Sequence, residues 1–226
     1  MSTQVYPVIH YKTIRQALDN AAIVERCGCP GVFLISMDGR DDELDQAIMA
    51  VKYRFTNLKV GGNYLSLPPL QALKRCLEMD INATWTDRPG VSSLGANEEA
   101  REISKLLLEH PEHQFFGSVA FKYQAEERFP AQAAVAAAHM GMVATTSGAA
   151  TGEAADVAKL AKMKTALGNS PLALASGVSP ANAHLFTPYV DYFLVSTHIA
   201  MSPTSPMLSE EKLRALMAVV NGTGNA

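Results

Sequence analysis

The chain has 226 residues, 48% of them hydrophobic and 18% charged, with a formal net charge of −3. This balance suits one globular unit with a large core, near the lower end of the roughly 200–250 residues of a single α/β barrel. It carries no Lys/Arg block that would point to nucleic acid, and no apolar run near the roughly 18 residues of a membrane span.

The chain alternates between two hydrophobic periods. Val5–Tyr11 is an apolar run that reads as a first strand. Thr13–Arg26 then carries Ile14, Leu18, Ala21 and Ala22 at helical spacing. Gly31–Met37 predicts a second strand, and Asp41–Phe55 a helix whose first-turn acids complement the helix dipole. Lys59–Ser66 predicts a third strand, with Pro68-Pro69 opening the next helix. Ile81–Asp87 predicts the fourth strand, followed by a long loop, Arg88–Ala96, and a helix capped by Asn97. His113–Tyr123 is expected to hold a fifth strand, Phe115–Tyr123, followed by an Ala-rich helix over Pro130–Met140 and a sixth strand over Met142–Ser147. The Asp156–Leu167 helix is expected to end at Gly168. The seventh and eighth strands are Leu172–Ala175 and Tyr192–Val195. Ser179-Pro180 between them reads as an N-cap with proline at the first helical position. Ser209–Val220 predicts the last helix.

Eight strands and eight helices in strict alternation imply parallel β/α units. The strands are mostly continuous apolar runs, as expected where both faces are covered. The first strand is not followed by a Gly-rich dinucleotide turn, and the last two end in Gly, Ser and Thr. These features favour a closed (β/α)8 TIM barrel over an open doubly wound sheet. No Gly/Ser- or Pro-rich linker divides the chain, so residues 1–226 are expected to form one domain. Cys27, Cys29 and Cys76 are odd in number and lack the paired spacing of a zinc site. Free thiols, and an amino terminus with no basic n-region or apolar h-region, make a cytoplasmic location the expectation.

In such a barrel, chemistry belongs at the carboxyl ends of the strands, and the loops after the last two strands are the usual phosphate site. His10 ends the first strand and is poised for proton transfer near neutral pH; otherwise it is a hydrogen-bonded rim residue. Lys122 ends an apolar run. There it can bind an anion, serve as acid or base, or form a Schiff base, with anion binding first; alternatively it snorkels outward. Asn63 follows Gly61-Gly62, glycines that argue for close backbone approach, and its amide both donates and accepts. Asp87 sits in a turn-like setting and is expected to orient ligand hydroxyls, with an ordinary Asx turn as the bland reading. Ser147, Gly148 and Thr151 after the sixth strand, Ser176 and Gly177 after the seventh, and Ser196 and Thr197 after the eighth form the expected phosphate cradle. His198 stands beside them. Asp38, Asp87 and Asn63 together could hold Mg²⁺ through oxygen ligands. No other cofactor pattern is present. Trp85 is expected in the core.

At these residues the chain resembles the BtpA family, barrels related to a photosystem I biogenesis protein. Ser147-Gly148-Ala149-Ala150-Thr151-Gly152-Glu153 is similar to the family's Thr-Gly-x-x-Thr-Gly-Glu loop. Ser176-Gly177-Val178-Ser179-Pro180-Ala181-Asn182 is similar to its Ser-Gly-Val-Thr-Pro-Glu-Asn turn. Val8-Ile9-His10, Gly61-Gly62-Asn63-Tyr64-Leu65 and Lys122 also fall on family positions. The chain departs after the eighth strand, where Ser196-Thr197-His198 replaces Gly-Thr or Gly-Ser. After the second strand, Ile35-Ser36-Met37-Asp38 replaces Glu-Asn. The resemblance implies a phosphate-binding-type barrel without fixing a reaction. The expected function is an enzyme acting on a small phosphorylated metabolite. The alternatives are a non-catalytic binding or assembly factor of the family, and a Mg²⁺-dependent enzyme using Asp38 and Asp87. The expected partner is the small ligand, with no nucleic acid and no membrane insertion; a homo-oligomer remains open.

Overall fold

The computed structural model describes residues 3–222. In chain order the elements are β1 (Gln4–His10), α1 (Ile14–Arg26), β2 (Gly31–Ser36), α2 (Asp41–Arg54), β3 (Lys59–Tyr64), α3 (Pro69–Glu78) and β4 (Ala83–Thr86). They continue with β5 (Val91–Ser92), β6 (Gly95–Ala96), α4 (Glu98–Glu109), β7 (Gln114–Ser118), α5 (Pro130–His139) and β8 (Val143–Thr146). The chain ends with α6 (Val157–Leu167), β9 (Leu172–Ala175), α7 (Ala183–Phe186), β10 (Tyr192–Val195) and α8 (Glu210–Val220). Eight parallel strands close in the order β1-β10-β9-β8-β7-β4-β3-β2, a (β/α)8 TIM barrel, while β5 and β6 pair apart from it as an antiparallel hairpin. Among the described residues, no helix is long and apolar enough to cross a membrane.

Two apolar layers follow from the alternation of side chains along each strand. One set, including Val5, Ile9, Val32 and Leu34, packs outward under the helices. The other set fills the barrel itself: Tyr6, Val8, Phe33, Ile35, Trp85, Phe116, Phe121 and Leu194 belong to one interior cluster. Edge-to-face contacts organise that interior, with Phe33 and Phe116 at 5.2 Å and Phe116 and Tyr192 at 5.2 Å between ring centroids. Gly61 makes room for this packing, since a Cβ there would overlap the Phe33 ring. The Gly61-Gly62 pair therefore serves packing. The close approach expected at this point is made by the Phe33 ring.

Helix starts match the sequence signals where a side chain caps them. Thr13 accepts from the Gln16 N–H at 3.1 Å, and Asn97 from the Ala100 N–H at 2.8 Å. We expect Asn97→Ala to lower stability by about 1 kcal/mol, read as a lower urea midpoint at unchanged slope. An unchanged midpoint would remove the cap from the account. Three local expectations need correction. The fifth barrel strand stops at Ser118, not near Tyr123, because Ala120 (φ 48°) and Tyr123 (φ 63°) turn the chain into the left-handed region. The long loop after β4 contains the β5–β6 hairpin. Ser179-Pro180 opens a turn, not a helix. The Asn182 side chain accepts from the Ser179 N–H at 2.7 Å and donates to the Gly177 carbonyl at 2.9 Å, so the single helical turn starts only at Ala183.

Candidate active site at the barrel mouth

A cavity of 250 Å³ lies at the carboxyl ends of the strands. His10, Asp87, Lys122, Thr151, Ser176, Gly177, Ser196, Thr197 and His198 line it, together with apolar residues of the barrel interior. A smaller recess of 130 Å³ shares His10, Ser196 and Thr197 with it and adds Lys12, Thr204 and Ser205. Residues at or beyond the ends of all eight barrel strands thus converge on one space.

Lys122 owes its position to its neighbours' polar groups. Its backbone N–H donates to Ser147 Oγ at 2.8 Å. The carbonyl of Ala120, two residues earlier, accepts from Thr146 Oγ1 at 2.9 Å and from Lys159 Nζ at 3.1 Å. Gln124 closes the other side. Its amide donates to the Asp87 carbonyl at 2.5 Å and the Ser118 carbonyl at 2.9 Å, and accepts from the Phe121 N–H at 3.0 Å. These bonds hold a loop whose Ala120 and Tyr123 lie in a costly backbone region, and such strain gathers at functional sites.

The titratable groups feel one another across the cavity. Burial pushes the Asp87 carboxyl above the usual carboxylate range, while the Lys122 ammonium and the Asn63 amide pull it partly back. Burial lowers the Lys122 ammonium, and the Asp87 carboxylate opposes that shift. Burial, then Lys12 and Lys122, lower His10. Lys122 forms no ion pair among the described residues. Its Nζ lies 5.6 Å from the Phe121 ring centroid. Asp87 Oδ1 is buried without a hydrogen-bond partner, as are both polar atoms of the Asn63 amide. Leaving a buried polar atom unpaired costs about 1–3 kcal/mol, and of these residues only Asp87 lines the cavity, where a ligand group could relieve that cost.

The expected residues divide into three groups. His10, Asp87, Lys122, Thr151, Ser176, Gly177, Ser196 and Thr197 meet at the cavity. Asn63 is fully buried and lies outside the lining, beside Asp87. Ser147 and Gly148 also lie outside it: Ser147 Oγ donates to the Gly148 carbonyl at 2.8 Å and accepts from Lys122, which makes it a brace. The half of the cradle expected between Ser147-Gly148 and Ser176-Gly177 is filled by the chain itself. A Cβ on Gly148 or on Gly177 would overlap the Glu153 carbonyl oxygen, and Ser176 Oγ accepts from the Gly152 N–H at 3.0 Å.

Asp38 does not join Asp87. Its carboxylate is exposed, accepts from Arg40 Nε at 3.1 Å and Ser36 Oγ at 3.1 Å, and lies outside the cavity lining. No group of three or more His, Cys, Asp or Glu side chains is placed to hold a metal ion among the described residues. The three cysteines are free and buried. Sequence reasoning missed Gln124 and Tyr123. Tyr123 OH meets Thr151 Oγ1 at 3.1 Å across the mouth. Neither carries a signal beyond its nearness to Lys122. Trp85 is in the core as expected, and it also faces the cavity.

No protein-family model matches the chain, and no curated protein matches it. Solved structures share its fold along nearly the whole length. Phosphoribosyl anthranilate isomerase from Thermus thermophilus is 17% identical at a TM-score of 0.68, covering 97% of this chain and 99% of its own. A native KDPGal structure is 15% identical at 0.71, covering 99% and 98%. 3-Hexulose-6-phosphate synthase is 15% identical at 0.66, covering 97% and 99%. At these identities the likeness establishes the barrel, and two of the three named proteins carry a phosphorylated sugar in their names.

Proposed function

We propose that the protein is an enzyme acting on a small phosphorylated metabolite at this mouth, within a BtpA-like phosphate-binding barrel. The observation that carries the reading is the grouping of Lys122, Asp87 and His10 on one cavity, with Asp87 Oδ1 buried and unpartnered and Lys122 in no ion pair among the described residues. Lys122 supplies the charge that attracts and holds the anion and stabilises negative charge developing during reaction. Asp87 and His10 serve as the acid–base pair, their pKa values moved toward each other by burial. The Asn63 amide beside Asp87 favours its ionised form. Ser196 and Thr197 supply hydroxyls to the phosphate, with Gly177, Ser176 and Thr151 at the same rim. Solved barrels of the same fold whose names carry a phosphorylated group support a phosphorylated metabolite as the ligand class.

The test is thermal unfolding against a broad panel of phosphometabolites. A true ligand at a hundred times its Kd stabilises by about 2.7 kcal/mol and raises Tm accordingly. A panel that leaves Tm unmoved contradicts the reading.

The shifted imidazole adds a pH signature. His10 is held below the ordinary imidazole value, so it is neutral at pH 7 in the free protein. An anion bound beside it favours the protonated ring and raises that value. Binding of inorganic phosphate near pH 6.5 is therefore expected to take up a proton at His10. Calorimetry in buffers of different ionisation enthalpy reads this uptake, and His10→Gln should remove it. Equal uptake by the variant would assign the proton elsewhere.

A second reading, a binding or assembly factor without a reaction, draws on one observation: Glu153 fills half of the expected cradle. It predicts that Lys122→Ala and His10→Ala keep the cellular role with the fold intact, whereas the enzyme reading predicts its loss.

A further inference from the structure

The cavity has an apolar floor, and its polar groups stand at the rim, which they share with the exposed Met37 and Leu65. Its floor is made by Val8, Ile35, Trp85, Phe121, Ala175 and Leu194, all members of the barrel's interior apolar cluster. Trp85 adds no polar atom to that floor, because its only N–H already donates to Ser118 Oγ at 3.0 Å. The Phe121 ring lies edge-on to Trp85 at 6.3 Å. The hydrogen-bonding groups come instead from strand ends and the loops beyond them. His10 is the last residue of β1, Asp87 and Ser196 are the first residues after β4 and β10, and Lys122 follows β7 by four residues.

We propose that the ligand of this cavity has an apolar, ring-like body resting on the Trp85–Phe121 floor and an anionic group at the rim. Among phosphorylated ligands, a polyhydroxylated sugar phosphate without such a ring is the poorer match to this floor. Hydroxyl groups pressed onto this floor leave water without finding a protein partner, and each such loss weakens binding by about tenfold. A ring in the same place gains from leaving water and meets two aromatic side chains. The cavity's 250 Å³ is on the scale of a single ring with a small substituent, near the lower limit of ordinary small-molecule sites. The inference rests on the anion-binding reading above and narrows it.

Trp85 is the only tryptophan in the chain, so its fluorescence reports on the floor alone. The experiment titrates the intact protein with phenyl phosphate, ribose 5-phosphate and inorganic phosphate, reading Trp85 emission and calorimetric Kd in parallel. The expected result is phenyl phosphate binding at least tenfold tighter than ribose 5-phosphate, with a change in Trp85 emission that inorganic phosphate does not produce. If ribose 5-phosphate binds as tightly as phenyl phosphate or tighter, the apolar-body inference falls while the phosphate reading stands. If all three bind alike and Trp85 emission stays constant, the ligand body does not reach the floor and the inference also falls. If none binds, the inference falls together with the phosphate reading on which it rests.

Discussion

Replacing Lys122 with alanine is expected to weaken phenyl phosphate binding by about ten- to a hundredfold while the barrel stays folded. A charge-assisted hydrogen bond from a half-buried ammonium contributes about 1.5–3 kcal/mol, which is that factor in Kd. The side chain forms no ion pair among the described residues, and the loop is held through the Lys122 backbone N–H and the Ala120 carbonyl, both of which survive the change. Unfolding stability should therefore move by about 0.5 kcal/mol or less. An independent readout comes from the neighbours. The ammonium lowers both the His10 imidazole and the Asp87 carboxyl, so its removal should raise both pKa values, as followed by NMR titration. Unchanged affinity together with unmoved titrations would place Lys122 outside the site.

The largest expected effect on stability belongs to Gly177→Ala. Gly177 has φ of 74°, a region that alanine enters at a cost of about 1–2 kcal/mol. Its new Cβ would also overlap the Glu153 carbonyl, a backbone atom that cannot swing away like the end of a flexible side chain. Strain and overlap together should cost about 3 kcal/mol or more, seen as a lower urea midpoint. The damage should spread to the Ser147–Asp156 loop, because the Gly152 N–H donates to Ser176 Oγ next door. Gly28→Ala is the control. It has a similar φ of 73° with nothing near its Cβ position, so it should show the backbone penalty alone. Equal losses in the two variants would show that the Glu153 contact contributes nothing.

The same contact explains what the sequence could and could not reveal. The barrel was legible because each β/α unit carries its own periodicity, and because Asn97 and Thr13 announce their helices through local hydrogen bonds. Convergence of His10, Asp87, Lys122, Ser176 and Thr197 on one mouth follows from the closed topology alone. The purpose of the glycines was not legible. Gly148 and Gly177 sit in loops that look built for phosphate, yet both face the backbone of Glu153, within its own loop for Gly148 and from a different β/α unit for Gly177. Gly61 was open to the same error, since the ring of Phe33 on the adjacent strand decides its role. Gln124 was invisible for a related reason. Its three hydrogen bonds exist only after the chain has turned at Ala120 and Tyr123, in a conformation that residue type does not announce. The apolar floor was hidden because its residues read simply as core.

The most direct test of the account is a crystal structure of the protein soaked with phenyl phosphate. The phosphate is expected at the rim of the mouth, within hydrogen-bonding distance of Lys122 Nζ and the Thr197 hydroxyl, with the ring on Trp85 and Phe121. Phosphate bound elsewhere on the barrel, with this mouth holding only water, would contradict it.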